Sequence, residues 1–263
     1  EGRNNWRKQY TKSEKCVSKR LYKGNRVYTA SNEIFFQLID SFKNFLKLHT
    51  TAVVLNAEEV EGDDLIGGFV KRFSGEGDEI VILSGDKDFT QLLKYPNVRL
   101  INPDKGKERT CDDPLYFMFE KCIRGDGGDN VMSAYPRVRS TRIEKAYKDD
   151  YERANLMNEK WTVKDPETGE ILQEFVVGEL FEENKLLMDL DAQPPEIKEI
   201  IENTIDAAIQ SRASFSYFHF MKFLGEYELK AIADESMNYN DIFSLHENKR
   251  DLKKPKTSSL ISF

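Results

Sequence analysis

Three short stretches gather acids at spacings that permit metal chemistry: EGDDLIGG (61–68), SGDKDF (84–89) and RGDGGDN (124–130). Glu61 and Asp64, three apart, share one face of a helix's first turn, and Asp126 and Asp129 repeat that spacing behind Gly125. Asp86 and Asp88 leave an apolar run across Gly85, two residues apart, so both can turn toward one point. Unpaired carboxylates about 4 Å apart repel by about 4 kcal/mol per pair at an effective dielectric of 20. Several in one place therefore need a strong counter-charge. Hard oxygen donors with no histidine nearby select Mg²⁺, or Mn²⁺ in its place, over zinc. Two such ions would make a cluster of this size tolerable, and the repulsion would become metal affinity. Taken singly, each stretch has a plainer use: acids at a helix start cap it and complement its dipole, and GDGGDN can be a turn. Their joint occurrence at the ends of apolar segments favours the shared site.

The segments around these acids predict the elements that must hold them. TAVVLNA (51–57), DEIVILSGD (78–86) and NVRLINP (97–103) read as strands, the second of them buried. A helix begins near Glu61 with Leu65, Ile66, Phe69 and Val70 inward, and KDFTQLLK (87–94) gives one or two helical turns. Alternating strands and helices predict an α/β fold with a parallel sheet, whose functional groups collect beyond the carboxyl ends of the strands. Residues 32–49 show an apolar helical stripe, and 6–26 are expected to be partly helical. After residue 104 the strand signal fades. DDPLYFMFEKCIRG (112–125) reads as a helix with proline near its start, DPETGE (165–170) as the turn of a hairpin, and 194–210 and 215–233 as helices. The fold class is thus an α/β core followed by a mostly helical half.

Composition narrows the setting. The 263 residues are 32% charged and 39% hydrophobic with a net charge of −7, as in an ordinary globular protein. There is no apolar run of membrane-spanning length and no signal-peptide pattern, so a cytoplasmic protein without membrane contact is expected. Cys16, Cys111 and Cys122 lack paired-motif spacing and are expected to be reduced and buried. The charge is uneven: residues 1–30 hold nine bases against Glu1 and Glu14. A basic arm beside acidic clusters suits a metal-dependent enzyme acting on a polyanion.

EGDDLIG, ILSGDKDFTQLL and IRGDGGDNV resemble, in order and spacing, the E-x-D-D, S-G-D-x-D and G-D-x-x-D-N motifs of the 5′-nuclease (flap endonuclease) family. The likeness spans most of residues 6–225. Further stretches at 88–100, 138–140, 184–194 and 214–220 are similar to its phage members with 5′→3′ exonuclease and ribonuclease H activity. The resemblance implies a PIN-like core and a two-metal hydrolase that removes RNA primers and 5′ flaps during lagging-strand DNA replication. It makes Glu61, Asp63, Asp64, Asp86 and Asp88 metal-site residues, Asp64 more securely than Asp63, with Asp126 and Asp129 at a second metal. Lys87 is expected to point away and Asn130 to cap the next helix. YKGNR (22–26) is similar to the family's arch, which implies phosphate contacts and transition-state stabilisation by Lys23 and Arg26, and base stacking on Tyr22. Arg7 and Lys8 would extend this surface, and Trp6 would stack or pack.

The likeness divides the chain into a nuclease core with a basic arch (1–125), a helical, helix–turn–helix-like duplex-binding domain (126–235) and a flexible basic tail (236–263). Duplex phosphates would meet Arg137, Arg139 and Arg142. Arg137, Val138 and Arg139 stand where the family has a glycine-rich turn, so its potassium site is not carried over. The family also bears two aspartates ahead of the position of Glu1. The chain as written is therefore expected to be an N-terminally truncated fragment that binds metal weakly and cleaves poorly. The expected partners are DNA and RNA–DNA hybrid with a 5′ end or flap. A sliding clamp, met through the terminal SSLISF, or a single-strand-binding protein could join a monomeric enzyme. Two rival readings stay open: a PIN-type endoribonuclease and a non-catalytic DNA-binding relative.

Overall fold

The computed structural model describes residues 5–27, 30–75 and 77–244. The chain divides into two compact units, Glu1–Arg26 with Glu58–Ile201, and Val27–Ala57 with Glu202–Phe263. None of the three junctions, after residues 26, 57 and 201, coincides with the boundary expected near residue 125. The tail beyond 244, and the clamp motif placed in it, lie outside the described residues.

In the first unit, α1 (Trp6–Lys12) is capped by Asn5, whose side chain accepts from the Arg7 and Lys8 N–H groups. Helix α3 (Gly62–Phe73) follows Glu61 at its N-cap and turns Leu65, Val70 and Phe73 inward. Strand β1 (Ile80–Leu83) pairs in parallel with β2 (Val98–Asn102), Ile80 facing Val98 and Leu83 facing Ile101. A 3₁₀ segment, Asp88–Lys94, connects them and buries Phe89 and Leu92 against Val70, Ile82, Val98, Leu100 and Leu190.

The sheet is mixed, not parallel throughout. A third strand, β3 (Lys107–Arg109), returns antiparallel to β2, giving the order β1–β2–β3. Its three residues, Lys-Glu-Arg, carry no apolar alternation, so only pairing reveals it. Gly106, at φ +56, supplies the left-handed residue of the turn before it. Arg99 then bridges Glu108 on β3, at 2.8 and 2.9 Å, and Glu79 beside β1. Strand β1 is covered on one face only: Ile82 is buried, while Val81 and Leu83 are exposed. Its unbroken apolar run had implied cover on both faces. Segment 51–57, expected to be a strand, is irregular and pairs with no strand among the described residues. A β-branched run becomes a strand only where a partner edge meets it.

Helix α4 (Pro114–Arg124) starts as its sequence directs, with Asp113 accepting from the Tyr116 N–H and proline in the first turn. Helices α5 (Ser140–Lys148), α6 (Asp150–Met157) and α7 (Val177–Met188) pack with it around Ile123, Ile143, Leu156, Val177 and Leu180. The expected hairpin is present as β4 (Lys160–Lys164) and β5 (Ile171–Val176), with the Asp165 carboxylate accepting from the Glu167 and Thr168 N–H groups. Helix α8 spans Pro195–Gln210.

The second unit holds α2 (Ala30–His49), α9 (Tyr217–Glu226), α10 (Lys230–Asp234) and α11 (Ser236–Ser244). Phe45, Phe220 and Leu224 form its core, with Phe223 stacked on Phe45 at 4.6 Å. The single helix expected over 215–233 is broken, because Glu228 takes φ +53 and the Leu229 N–H closes back on the Leu224 carbonyl. The apolar stripe of α2 is partly open, with Ile34, Phe35 and Leu38 about half exposed. Among the described residues, Cys16 and Cys122 are buried free thiols, Cys111 is only partly buried, and no helix is long and apolar enough to cross a membrane.

Candidate metal centre and nucleic-acid interface

The three acidic stretches meet within the first unit, and the local folds that deliver them differ. Asp86 and Asp88 follow the carboxyl end of β1, where the Asp86 carboxylate accepts from the Asp88 N–H at 2.8 Å. Glu61 leaves the N-terminus of α3. Asp126 and Asp129 sit in a tight loop after α4, closed by reciprocal backbone bonds between Asp126 and Val131. Gly125 makes that loop possible: it has φ +71, and a Cβ there would lie 2.6 Å from the backbone of Val131 and Met132. Asn130 does not cap a helix. It takes φ +59 within this loop and donates its side-chain amide to the Leu21 carbonyl, while α5 starts ten residues later.

Two sets of acids form around different cations. In the first, Lys23 Nζ lies 2.6 Å from Glu61 and 3.9 Å from Asp129, and Arg26 holds the other Asp129 oxygen at 2.7 Å. The Tyr22 hydroxyl stands 2.9 Å from Glu61 and 3.0 Å from Asp129, so its one proton serves either carboxylate. Burial, then Glu61, drives its pKa far above the ordinary phenol value. Tyr22 is buried among Met118, Val131 and Leu187, which corrects the expectation of a base-stacking ring. The turn at 22–26 folds onto the acids: the Lys23 N–H donates to the Asp129 carbonyl at 2.8 Å. Lys23 is itself buried; Arg26 is exposed at its tip.

In the second set, Lys121 bridges Asp88 and Asp126, the latter at 3.2 Å. Burial pushes the Asp88 carboxyl up, Lys121 opposes it, and the charges of Asp86 and Asp126 add to the rise. Burial acts the same way on Asp126, but Lys121 and the N–H groups of Gly128 and Asp129 outweigh it and hold that carboxyl low. Asp63 connects the sets. Burial, then the charges of Asp86 and Glu61, push its pKa to about 6.

Asp64 is turned elsewhere. It is fully buried against the Arg7 guanidinium, at 2.5 and 2.7 Å, which corrects the placing of Arg7 on a nucleic-acid surface. The order of the two adjacent acids is accordingly reversed: Asp63 faces the other carboxylates and Asp64 faces the core. Trp6 packs, with its ring 4.4 Å under the Arg7 guanidinium. Lys8 is half-buried and Lys87 exposed. Arg137 and Arg139 are exposed around the start of α5, whereas Arg142 is held by Glu159 at 2.5 Å. Lys121 and Arg7 were not legible as partners of the acids. Lys121 lies five residues before Asp126 on a helix face and reads as an ordinary surface base. The carboxylate that Arg7 grips is 57 residues away.

The donor set is all carboxylate, with no histidine among the gathered residues, which suits a hard divalent cation. Among the described residues, no three such side chains already stand at gripping distance of one point. Lys121 and Lys23 occupy the spaces between acids. Asp63, Asp86, Asp88 and Asp126 would hold an ion there once the Lys121 ammonium yields its place.

Fold and site together describe an α/β domain with carboxylates gathered beside the carboxyl end of β1. Residues 4–119 match the model of the 5′-3′ exonuclease N-terminal resolvase-like domain. Its sequence is 31% identical over 199 residues to ribonuclease H of Enterobacteria phage T4, covering 72% of this chain and 63% of that protein. It is 28% identical over 118 residues to a 5′-3′ exonuclease of Buchnera aphidicola, covering 42% of this chain and 40% of that protein. The chain thus spans less than two thirds of the length of these relatives. Among solved structures, the T5 D15 protein co-crystallized with metal ions superposes with a TM-score of 0.58 at 19% identity, over 81% of this chain and 84% of that one. A T5 D15 flap endonuclease complex with DNA and metal ions gives 0.52 at 19% identity, over 73% and 76%.

Proposed function

We propose that this chain is a metal-dependent 5′→3′ exonuclease and flap endonuclease with ribonuclease H activity, removing RNA primers and 5′ flaps in lagging-strand replication. The observation that carries this reading is the convergence of Glu61, Asp63, Asp86, Asp88, Asp126 and Asp129 from three separate stretches on one network. The T4 relative's name supports the ribonuclease H part. Two Mg²⁺ ions, with Mn²⁺ able to substitute, would lower the pKa of an attacking water and offset charge on the phosphate. The residues that would hold them are Asp63, Asp86 and Asp88 for one and Asp126 and Asp129 for the other. Lys23 and Arg26 exchange a carboxylate for a phosphate oxygen as substrate enters and stabilise the charge that develops. The water oxygen–phosphorus bond forms, the phosphorus–O3′ bond breaks, and the products are a 5′ phosphate and a 3′ hydroxyl.

Arg137 and Arg139, joined by Arg142 once Glu159 releases it, would hold duplex phosphates without reading bases, so binding should weaken with salt. Lys8 would extend the separate surface of Lys23 and Arg26. The enzyme would act as a monomer, with a sliding clamp or single-strand-binding protein as partner. The test is a labelled 5′ flap and an RNA–DNA hybrid, each incubated with Mg²⁺ or with EDTA, using the wild type and the Asp86→Asn/Asp88→Asn variant. Mg²⁺-dependent release of 5′ products, abolished in the variant, is expected. Preferential cutting of unstructured RNA would support the PIN-type reading. Metal-independent DNA binding without cleavage would support the non-catalytic one, which the lysines lodged between the acids favour.

A further inference from the structure

We propose that Arg7 and Asp64 are a buried positioning pair that aims Glu61 and Asp63 at the metal site, and that Asp64 itself binds no metal. This rests on the nuclease reading above and assigns one part of its machinery. The two Asp64 oxygens receive both ends of the Arg7 fork, the Gln193 amide at 3.0 Å, the Glu61 N–H at 3.1 Å and the Trp6 indole N–H at 3.4 Å. A carboxylate offers about four lone-pair sites, so five donors leave none for an ion. Arg7 is equally committed: its Nε donates to the Leu187 carbonyl at 2.6 Å.

The fork therefore ties α1, the first turn of α3, the end of α7 and the loop carrying Gln193 to one point. The bond from the Glu61 N–H to Asp64 closes the first turn of α3 and sets where the Glu61 side chain leaves the backbone. Asp63, one residue earlier on the helix, emerges on the side of Asp86. Removing the fork frees that turn, and it also withdraws the Arg7 charge that stands 3.6 Å from the Glu61 carboxylate.

Three variants test this, each measured for thermal unfolding, for Mn²⁺ binding by electron paramagnetic resonance, and for kcat and KM on a 5′ flap. Asp63→Asn is expected to lose Mn²⁺ affinity with no loss of Tm. Arg7→Lys, which cannot make the two-pronged contact, is expected to bind Mn²⁺ about 10-fold more weakly, the effect typical of a partner behind a ligand, and to lower kcat with KM unchanged. Asp64→Asn keeps an acceptor for the Glu61 N–H and is expected to bind Mn²⁺ more tightly than Asp63→Asn. An Asp64→Asn variant that is fully folded yet as deficient in Mn²⁺ binding as Asp63→Asn would make Asp64 a ligand and overturn the proposal. Unchanged Mn²⁺ binding in Asp63→Asn would instead overturn the site reading on which the pair depends. Should Asp64→Asn not fold, the Arg7→Met/Asp64→Leu double variant replaces the pair by apolar contacts. Wild-type Mn²⁺ affinity in that protein would overturn the positioning role.

Discussion

Asp63 and Asp64 are adjacent in the chain, and the fold treats them in opposite ways. Asp64 enters the core against Arg7, which outweighs the effect of burial and holds its carboxyl well below the usual range. Asp63 stands with Asp86 and Glu61, and burial and like charge raise its carboxyl to about 6. The same contrast separates the wider acid sets. Glu61, Asp64 and Asp129 are answered by Arg7, Lys23 and Arg26, whereas Asp88 and Asp126 share the one Lys121 and Asp63 stands among the like charges of Asp86, Glu61 and Asp88. Charge that the protein has already neutralised holds structure. Charge that it has left in excess is available to a ligand.

The largest way to break this comparison is at the fork. Arg7→Leu and Asp64→Leu should each cost about 3–5 kcal/mol, because each leaves an uncompensated buried charge, and the double variant should cost far less than the sum. Urea unfolding of the four proteins of the cycle gives the coupling. Additive losses would mean that the pair is not a unit.

A smaller effect is expected at the under-neutralised set. Lys121→Met leaves Asp88 and Asp126 without their shared cation, which should cost about 1–3 kcal/mol in EDTA. The same change should tighten divalent-ion binding, so that Mg²⁺ raises the Tm more in the variant than in the wild type. A smaller Mg²⁺ effect in the variant would show that Lys121 supports the ion and does not compete with it.

The smallest effect is a pH slope. The folded Asp63 pKa of about 6 lies above the unfolded value near 3.9. The native state therefore binds more protons than the unfolded state between roughly pH 4 and 6, and this residue's contribution to stability falls as pH rises through that window. Asp64 has the opposite sign: its stabilisation is present above its unfolded pKa and is lost as pH falls through the lower folded one. In metal-free urea unfolding, Asp63→Asn should flatten the downward slope between pH 4 and 6, leaving the part due to the raised Asp88 carboxyl, and keep the acid-side loss. An unchanged slope would place the excess charge elsewhere.

Elements with local signals were legible. Asp113-Pro114 starts α4, Glu61 and Asp64 open α3, and DPETGE turns the hairpin, because each involves residues within one or two turns of one another. What failed depends on distant partners. Strand β3 exists through its pairing with β2, segment 51–57 meets no strand edge among the described residues, and the exposed side of β1 carries the same residue types as the buried side. Within the site, the acids were visible as types at spacings. Tyr22, Arg7 and Lys121 were not visible as their partners, since a basic or aromatic residue looks the same whether it meets solvent, substrate or a buried carboxylate.

By itself, then, the order of residues determined that seven acids would come in three groups, each beside a turn or helix start able to present it, and so the kind of chemistry available. Only the tertiary structure decided which acids keep their charge uncompensated. Neutralisation is a matter of a few ångströms between side chains far apart in the chain, and one position along α3 is enough to send one carboxylate to an arginine and its neighbour to other acids.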